Sequence, residues 1–280
     1  TDRVQAEAER FISARGDRPF FLYLAHYAVH RPVDAKPETI RRYPPRGPSP
    51  WGLVPEYAAM IEDLDASVGR LREFLRREGL LEQTVIVFTS DNGAVKWWGS
   101  NGPLRETKGT LYEGGIRVPL IVLGPGIRGG NYAHAPVVGY DIFPTVLDLA
   151  APGFALPKGV EGGSWKPVLL GGGTGTVARP INRLVWHHDV EIEHPQTAMR
   201  QGDLKLVHHW DTKQDFLYDL AADLGERNNL ARERPEVTAR MLAELKAHVR
   251  AGLGEQKFAA LEAGKFDDAS AGKGKGKGKG

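Results

Sequence analysis

The feature that most restricts the fold is a long amphipathic helical pattern that leads directly into a β-branched apolar run. Over residues 55–77, Tyr57, Met60, Ile61, Leu64, Val68, Leu71 and Leu75 recur at spacings of three and four, which puts them on one face of a helix. Pro55 suits its first turn and Gly79 its C-terminal end. Residues 84–89, Thr-Val-Ile-Val-Phe-Thr, then read as a strand. A second run at 118–123 stops at Gly124-Pro125-Gly126, and a third, Phe20-Phe21-Leu22-Tyr23-Leu24, is apolar throughout. Such runs suit strands buried on both faces. Strand, helix, strand order predicts an α/β fold: a mostly parallel sheet sandwiched by helices.

Around this framework, residues 4–13 predict a helix, and so do residues 141–149, with Ile142, Val146 and Leu149 facing inward. The Pro-rich stretch beginning at Pro44-Pro45 reads as a surface loop. After Pro152 the texture changes. Short strand-like runs at 184–186, 197–200, 204–208 and 216–218 predict a small antiparallel sheet. A last helix over 235–249 carries Val237, Met241, Leu245 and Val249 on one face. The expected division is an α/β unit over 1–165, a smaller subdomain over 166–255, and a disordered Gly/Lys tail over 256–280.

Composition removes several function classes. The formal charge is +2, but four lysines sit between Lys273 and Lys279, so the rest of the chain sums to about −2. No global basic character argues for nucleic acid. No stretch approaches the ~20 apolar residues of a membrane span. The absence of cysteine excludes disulfides and a cysteine nucleophile within these residues. The start, Thr1-Asp2-Arg3-Val4, is neither a Met start nor a signal peptide and reads as cut.

Chemistry-bearing residues fall where strands end. Asp91 and Asn92 follow the 84–89 run and offer the hard oxygens that calcium or magnesium takes. Asp-Asn-Gly is equally an ordinary turn signal. The segment from Gly102 to Pro119 is Gly-rich yet leads into a core strand, which suits a structured loop. Within it, Lys108 beside Gly109 can approach an anionic oxygen as a point charge, or be solvated surface. Glu113 and Arg117, four apart, can pair and brace the loop. His26 and His30 follow the 20–24 run, and His30 suits an anion contact or proton transfer as well as a structural role. His187, His188, His208 and His209 read as surface or cleft-rim residues, without ligand spacing for a metal. Trp97-Trp98 suits stacking on a ring or loop anchoring.

Six ordered segments together resemble the sulfatase family of the alkaline-phosphatase-like superfamily: Pro19 through Leu24 with His30-Arg31-Pro32; Tyr57 through Gly69; Thr89-Ser90-Asp91-Asn92-Gly93; Lys108 through Pro119; Asp141 through Leu147; and Leu217-Tyr218-Asp219-Leu220 with Glu226 and Asn229-Leu230. The resemblance implies a sulfuric ester hydrolase acting on a sulfated glycan or aryl sulfate. Asp91 and Asn92 would bind Ca2+, with Mg2+ as the alternative. Lys108 would hold a sulfate oxygen, and His30 would contact sulfate and assist the leaving group. The family's formylglycine, made in a Cys/Ser-x-Pro-x-Arg motif, has no counterpart here and is expected upstream, so the isolated chain should be inactive. Periplasmic or secreted location is implied by the resemblance alone. Arg105-Glu106-Thr107 departs from relatives that carry small or glycine residues there. A phosphoester or phosphonate hydrolase, or a non-catalytic glycan-binding relative, would share these segments.

Overall fold

The structure, a computed structural model, describes residues 1–43, 54–96, 99–189 and 194–266. The Pro44-Pro45 loop, Trp97-Trp98 and residues 267–280 lie outside them, whereas the first part of the expected disordered tail is ordered: Glu255–Glu262 is a helix, because Phe258 and Leu261 are buried. The chain forms two compact units. The first comprises Thr1–Phe88, Val95–Ser100 and Ile121–Gly129, and the second Thr89–Ala94, Asn101–Leu120 and Gly130–Gly280.

In the first unit, α1 (Asp2–Ser13), α2 (Pro37–Ile40) and α3 (Pro55–Arg77) precede β1 (Ile86–Thr89), which is hydrogen-bonded to β2 (Leu120–Leu123). The long helix has the predicted bounds. It ends where Gly79, at φ +68°, lets Leu80 N–H reach back to Leu75 C=O at 2.8 Å. Its buried stripe is Tyr57, Ala59, Met60, Ser67, Phe74 and Leu75, whereas Ile61 is exposed. Ser67 is covered because its hydroxyl donates to Gln5 Oε1 of α1 at 3.1 Å in the interior. Polar complementarity thus shifts the buried face away from the purely apolar one.

The 20–24 run departs from expectation. It joins no strand ladder among the described residues. Phe20 and Leu22 pack on the cluster of Ile12, Phe74 and Leu75, while Phe21 and Tyr23 stay 68% and 83% exposed. The segment has the alternation of extended chain covered on one face, and a wholly apolar sequence hides that alternation.

The second unit is organised by a four-stranded antiparallel meander: β3 (Leu184–His188), β4 (Gln196–Gln201), β5 (Leu204–His209) and β6 (Asp215–Asp219). These are the four predicted runs, each lengthened by one or two residues. Side chains alternate across the sheet, so Met199, Leu206 and Leu217 pack beneath α7 (Pro235–Leu253) and α8 (Glu255–Glu262) with Met241, Leu245, Val249, Phe258 and Leu261. Their neighbours Ala198, Val207 and Tyr218 face the other way, onto Leu111 and Tyr112. Both faces are therefore buried, and the second supports the segment that follows Lys108.

The same unit holds α4 (Glu113–Ile116), α5 (Ile142–Ala150) and α6 (Lys166–Leu170). In α5 the buried residues are Pro144 and Thr145, preceded by the fully buried Asp141. They differ from the predicted apolar face because Asp141 is an anchor: its carboxylate accepts from Arg179 at 2.9 and 2.5 Å and from the backbone N–H groups of Val138 and Gly163. No helix among the described residues is long and apolar enough to cross a membrane.

Candidate functional site

Asp91 and Asn92 occupy the turn just beyond β1, and Lys108 lies on a loop of the same unit. Backbone contacts bind the two segments. Lys108 N–H donates to Ala94 C=O at 3.1 Å, and Gly93 N–H donates to Gly115 C=O at 2.9 Å. Asn101 bridges them through its side chain, which accepts from Ala94 N–H at 2.8 Å and donates to Glu106 C=O at 3.1 Å. The approach requires glycine. A Cβ at Gly93 would lie 1.8 Å from Gly114 O, and one at Gly114 would lie 2.1 Å from Glu106 O. Asp91 and Lys108 are exposed, and among the described residues neither side chain has a hydrogen-bond or ion-pair partner.

Beneath this loop lies a buried charge cluster that sequence reading located only in part. Glu113 and Arg117 pair as expected, Arg117 Nε donating to Glu113 Oε2 at 2.6 Å. The unforeseen member is Lys205, wholly buried on β5, whose Nζ donates to Glu113 Oε1 at 2.8 Å and contacts Glu226 Oε1 at 2.9 Å as an ion pair without hydrogen-bond geometry. Glu226 Oε2 accepts from Glu113 N–H at 2.6 Å. Burial alone would raise the Glu113 carboxyl, but Lys205 and then Arg117 outweigh it and hold the group below its usual range. Burial dominates at Glu226 and keeps its carboxyl raised against the pull of Lys205.

Arg105 ties the loop to the sheet. It donates to Tyr218 OH at 2.8 Å and Glu226 C=O at 3.0 Å, and its guanidinium stacks 4.3 Å from the Tyr112 ring centroid. Glu106 adopts φ +61°, a conformation glycine takes without strain.

The loop also walls a pocket of about 450 Å³, bounded by Arg105, Thr110 and Tyr112 on one side and by His194, Gln196 and His209 on the other. Burial and then His194 push the His209 imidazole down to about 4, and burial raises the Tyr112 hydroxyl to about 12. Sequence reading named His209 without a partner. His194 and Gln196 went unnoticed because only strand register brings them to it.

His30 belongs to the first unit and is exposed. Its N–H donates to Tyr27 C=O at 2.9 Å, and its Nδ1 lies 2.9 Å from Arg31 O. Nearby His26 is half-buried, with Nδ1 unpartnered among the described residues; burial lowers its pKa.

With this geometry in view, the comparisons are consistent. The sulfatase family model matches residues 1–152, and the model of the N-sulphoglucosamine sulphohydrolase C-terminal region matches residues 107–251. A sulfatase of Formosa agariphila is 33% identical over 243 residues, 79% of this chain and 44% of the relative. Human arylsulfatase A is 33% identical over 259 residues, 83% of this chain and 48% of the relative. The chain thus spans about half the length of the curated relatives it matches. The crystal structure of Ps i-CgsB in complex with k-i-k-neocarrahexaose superposes with a TM-score of 0.74 at 26% identity, covering 88% of this chain and 54% of that one. The fold is the α/β, alkaline-phosphatase-like one of these proteins. The chain belongs to the sulfatase family.

Proposed function

We propose that this chain supplies the cation-binding and sulfate-binding side chains of a sulfuric ester hydrolase acting on a sulfated glycan or aryl sulfate. The observation that carries this reading is the paired backbone tie, Lys108 to Ala94 and Gly93 to Gly115, which fixes the Asp91-Asn92 turn and the lysine loop on one framework.

The donor set fits a hard cation: Asp91 provides a carboxylate and Asn92 an amide oxygen, both beyond a strand end. Two donors are fewer than the six to eight oxygens that calcium takes, so further ligands come from residues outside this chain or from water and substrate. A bound calcium would withdraw charge from the sulfate oxygens. Lys108 places an ammonium on a sulfate oxygen or the departing oxygen, and the glycine-braced loop holds it there without reorganisation. His30 contacts sulfate and passes a proton to the leaving group. A formylglycine nucleophile must come from residues other than these, which contain no cysteine and no Cys/Ser-x-Pro-x-Arg motif.

The test is a substrate panel on the protein completed with its nucleophile-bearing segment. It should hydrolyse p-nitrophenyl sulfate in preference to p-nitrophenyl phosphate. A preference for the phosphate ester would move the assignment to a phosphoester hydrolase of the same superfamily.

A further inference from the structure

The end of the β4–β5 hairpin gathers metal-binding side chains that no part of the sulfate chemistry uses. Gln196 pairs with His209 in the antiparallel register, and Trp210 N–H donates to Pro195 C=O at 2.8 Å, carrying the pairing one step further. The next pair is His194 with Asp211. Opposed residues and those two apart share a face, so His194, His209 and Asp211 emerge together on the pocket side. Trp210 points to the opposite face, where its Nε1 donates to Thr197 Oγ1 at 2.8 Å.

The distances follow from this register. His194 Nδ1 lies 2.7 Å from Asp211 Oδ2, and the rings of His194 and His209 stack with centroids 4.9 Å apart. One ligand atom from each of the three residues falls within 4.8 Å of the others. Tetrahedral zinc with ~2.0–2.1 Å bonds spaces its ligands roughly 3.4 Å apart, so the widest separation must close by up to about 1.4 Å while the His194–Asp211 contact opens slightly. His194 and Asp211 can make both adjustments by side-chain rotation, since they are 38% and 27% exposed. Tyr112 OH, 3.2 Å from His209 Nε2, sets that ring's orientation as outer partners of metal ligands do. The pocket leaves room for water or an added ligand at the remaining position.

We propose that His194, His209 and Asp211 form a binding site for a divalent transition-metal ion of the zinc class. Two imidazoles and one carboxylate select this class, because calcium and magnesium prefer all-oxygen shells. The site shares no residue with the Asp91-Asn92 turn.

The experiment titrates zinc chloride into the full 280-residue chain by calorimetry and repeats thermal melts with and without zinc. One zinc per chain is expected, with binding weakened about tenfold or more by His194→Ala and by Asp211→Ala. His194→Gln separates ligation from packing, since its amide can still bond Asp211: its zinc-free melt should match the parent, and its zinc-induced stabilisation should vanish. Excess calcium should not displace the zinc. Zinc binding that survives His194→Gln and Asp211→Ala at parental strength, its absence from the parent chain, or displacement by calcium would each overturn the assignment.

Discussion

Lys205 Nζ donates to Glu113 Oε1 at 2.8 Å with both side chains out of reach of solvent. The first residue of α4, on the loop that carries Lys108, is thereby pinned to the middle of the antiparallel sheet. A buried lysine is tolerated on β5 only because Glu113 and Glu226 meet it. Lys205→Met keeps the bulk and strands two carboxylates in the interior. We predict a loss of about 3–5 kcal/mol in chemical denaturation of the chain. A loss under about 1 kcal/mol would show that the cluster does not hold the loop.

The two carboxylates should respond to pH in opposite senses. Glu113 sits below its ordinary value of 4.5, so the stability it contributes is present above pH 4.5 and is lost as pH falls through its lower folded value. Glu226 sits above 4.5, so its contribution is present below pH 4.5 and is lost as pH rises through its raised folded value. Glu113→Gln should therefore be destabilised at neutral pH, with the deficit shrinking below pH 4.5. Glu226→Gln should gain on the parent as pH rises just above 4.5. Denaturation midpoints across pH 3 to 7 check both signs, and parallel curves for the two variants would contradict the coupling.

Glycine placement yields a contrast. Gly93→Ala forces a methyl to within 1.8 Å of Gly114 O, which can be relieved only by separating the Asp91-Asn92 turn from the lysine loop. A destabilisation of roughly 1–3 kcal/mol is expected. Gly69→Ala, inside α3 with open space around its Cβ, should instead stabilise by about 0.5–1 kcal/mol. Thermal melts of the two variants suffice, and equal behaviour would refute the close-approach argument.

Much of this architecture is legible in the residues because it rests on local periodicity. The helix from Pro55 to Arg77 and all four strands of the second sheet follow from spacing and turn signals. What escapes is long-range. Lys205 reads as an exposed strand lysine until Glu113 and Glu226, from distant segments, are brought to it. Likewise Asp211 and His194 become neighbours only through hairpin register. The 20–24 run misleads for the opposite reason: uniform apolarity gives no sign of which face lacks a neighbour. Glu106 takes a backbone conformation, φ +61°, that residue spacing does not announce, while the segment carrying Lys108 stays tied in place.

The division of labour between Asp91, Asn92 and Lys108 is the central claim, and it is tested most directly by measuring calcium content and aryl-sulfate turnover on the same variants of the completed protein. Asp91→Ala should lose metal and turnover more severely than Asn92→Ala, because a carboxylate gives a hard cation charge as well as an oxygen. Lys108→Ala should keep its calcium while its rate falls, since an ammonium cannot ligate a cation. Lys108→Arg should restore the rate only partly, because a planar fork replaces a compact point charge. Loss of calcium in Lys108→Ala, with metal and activity intact in Asp91→Ala, would contradict the account.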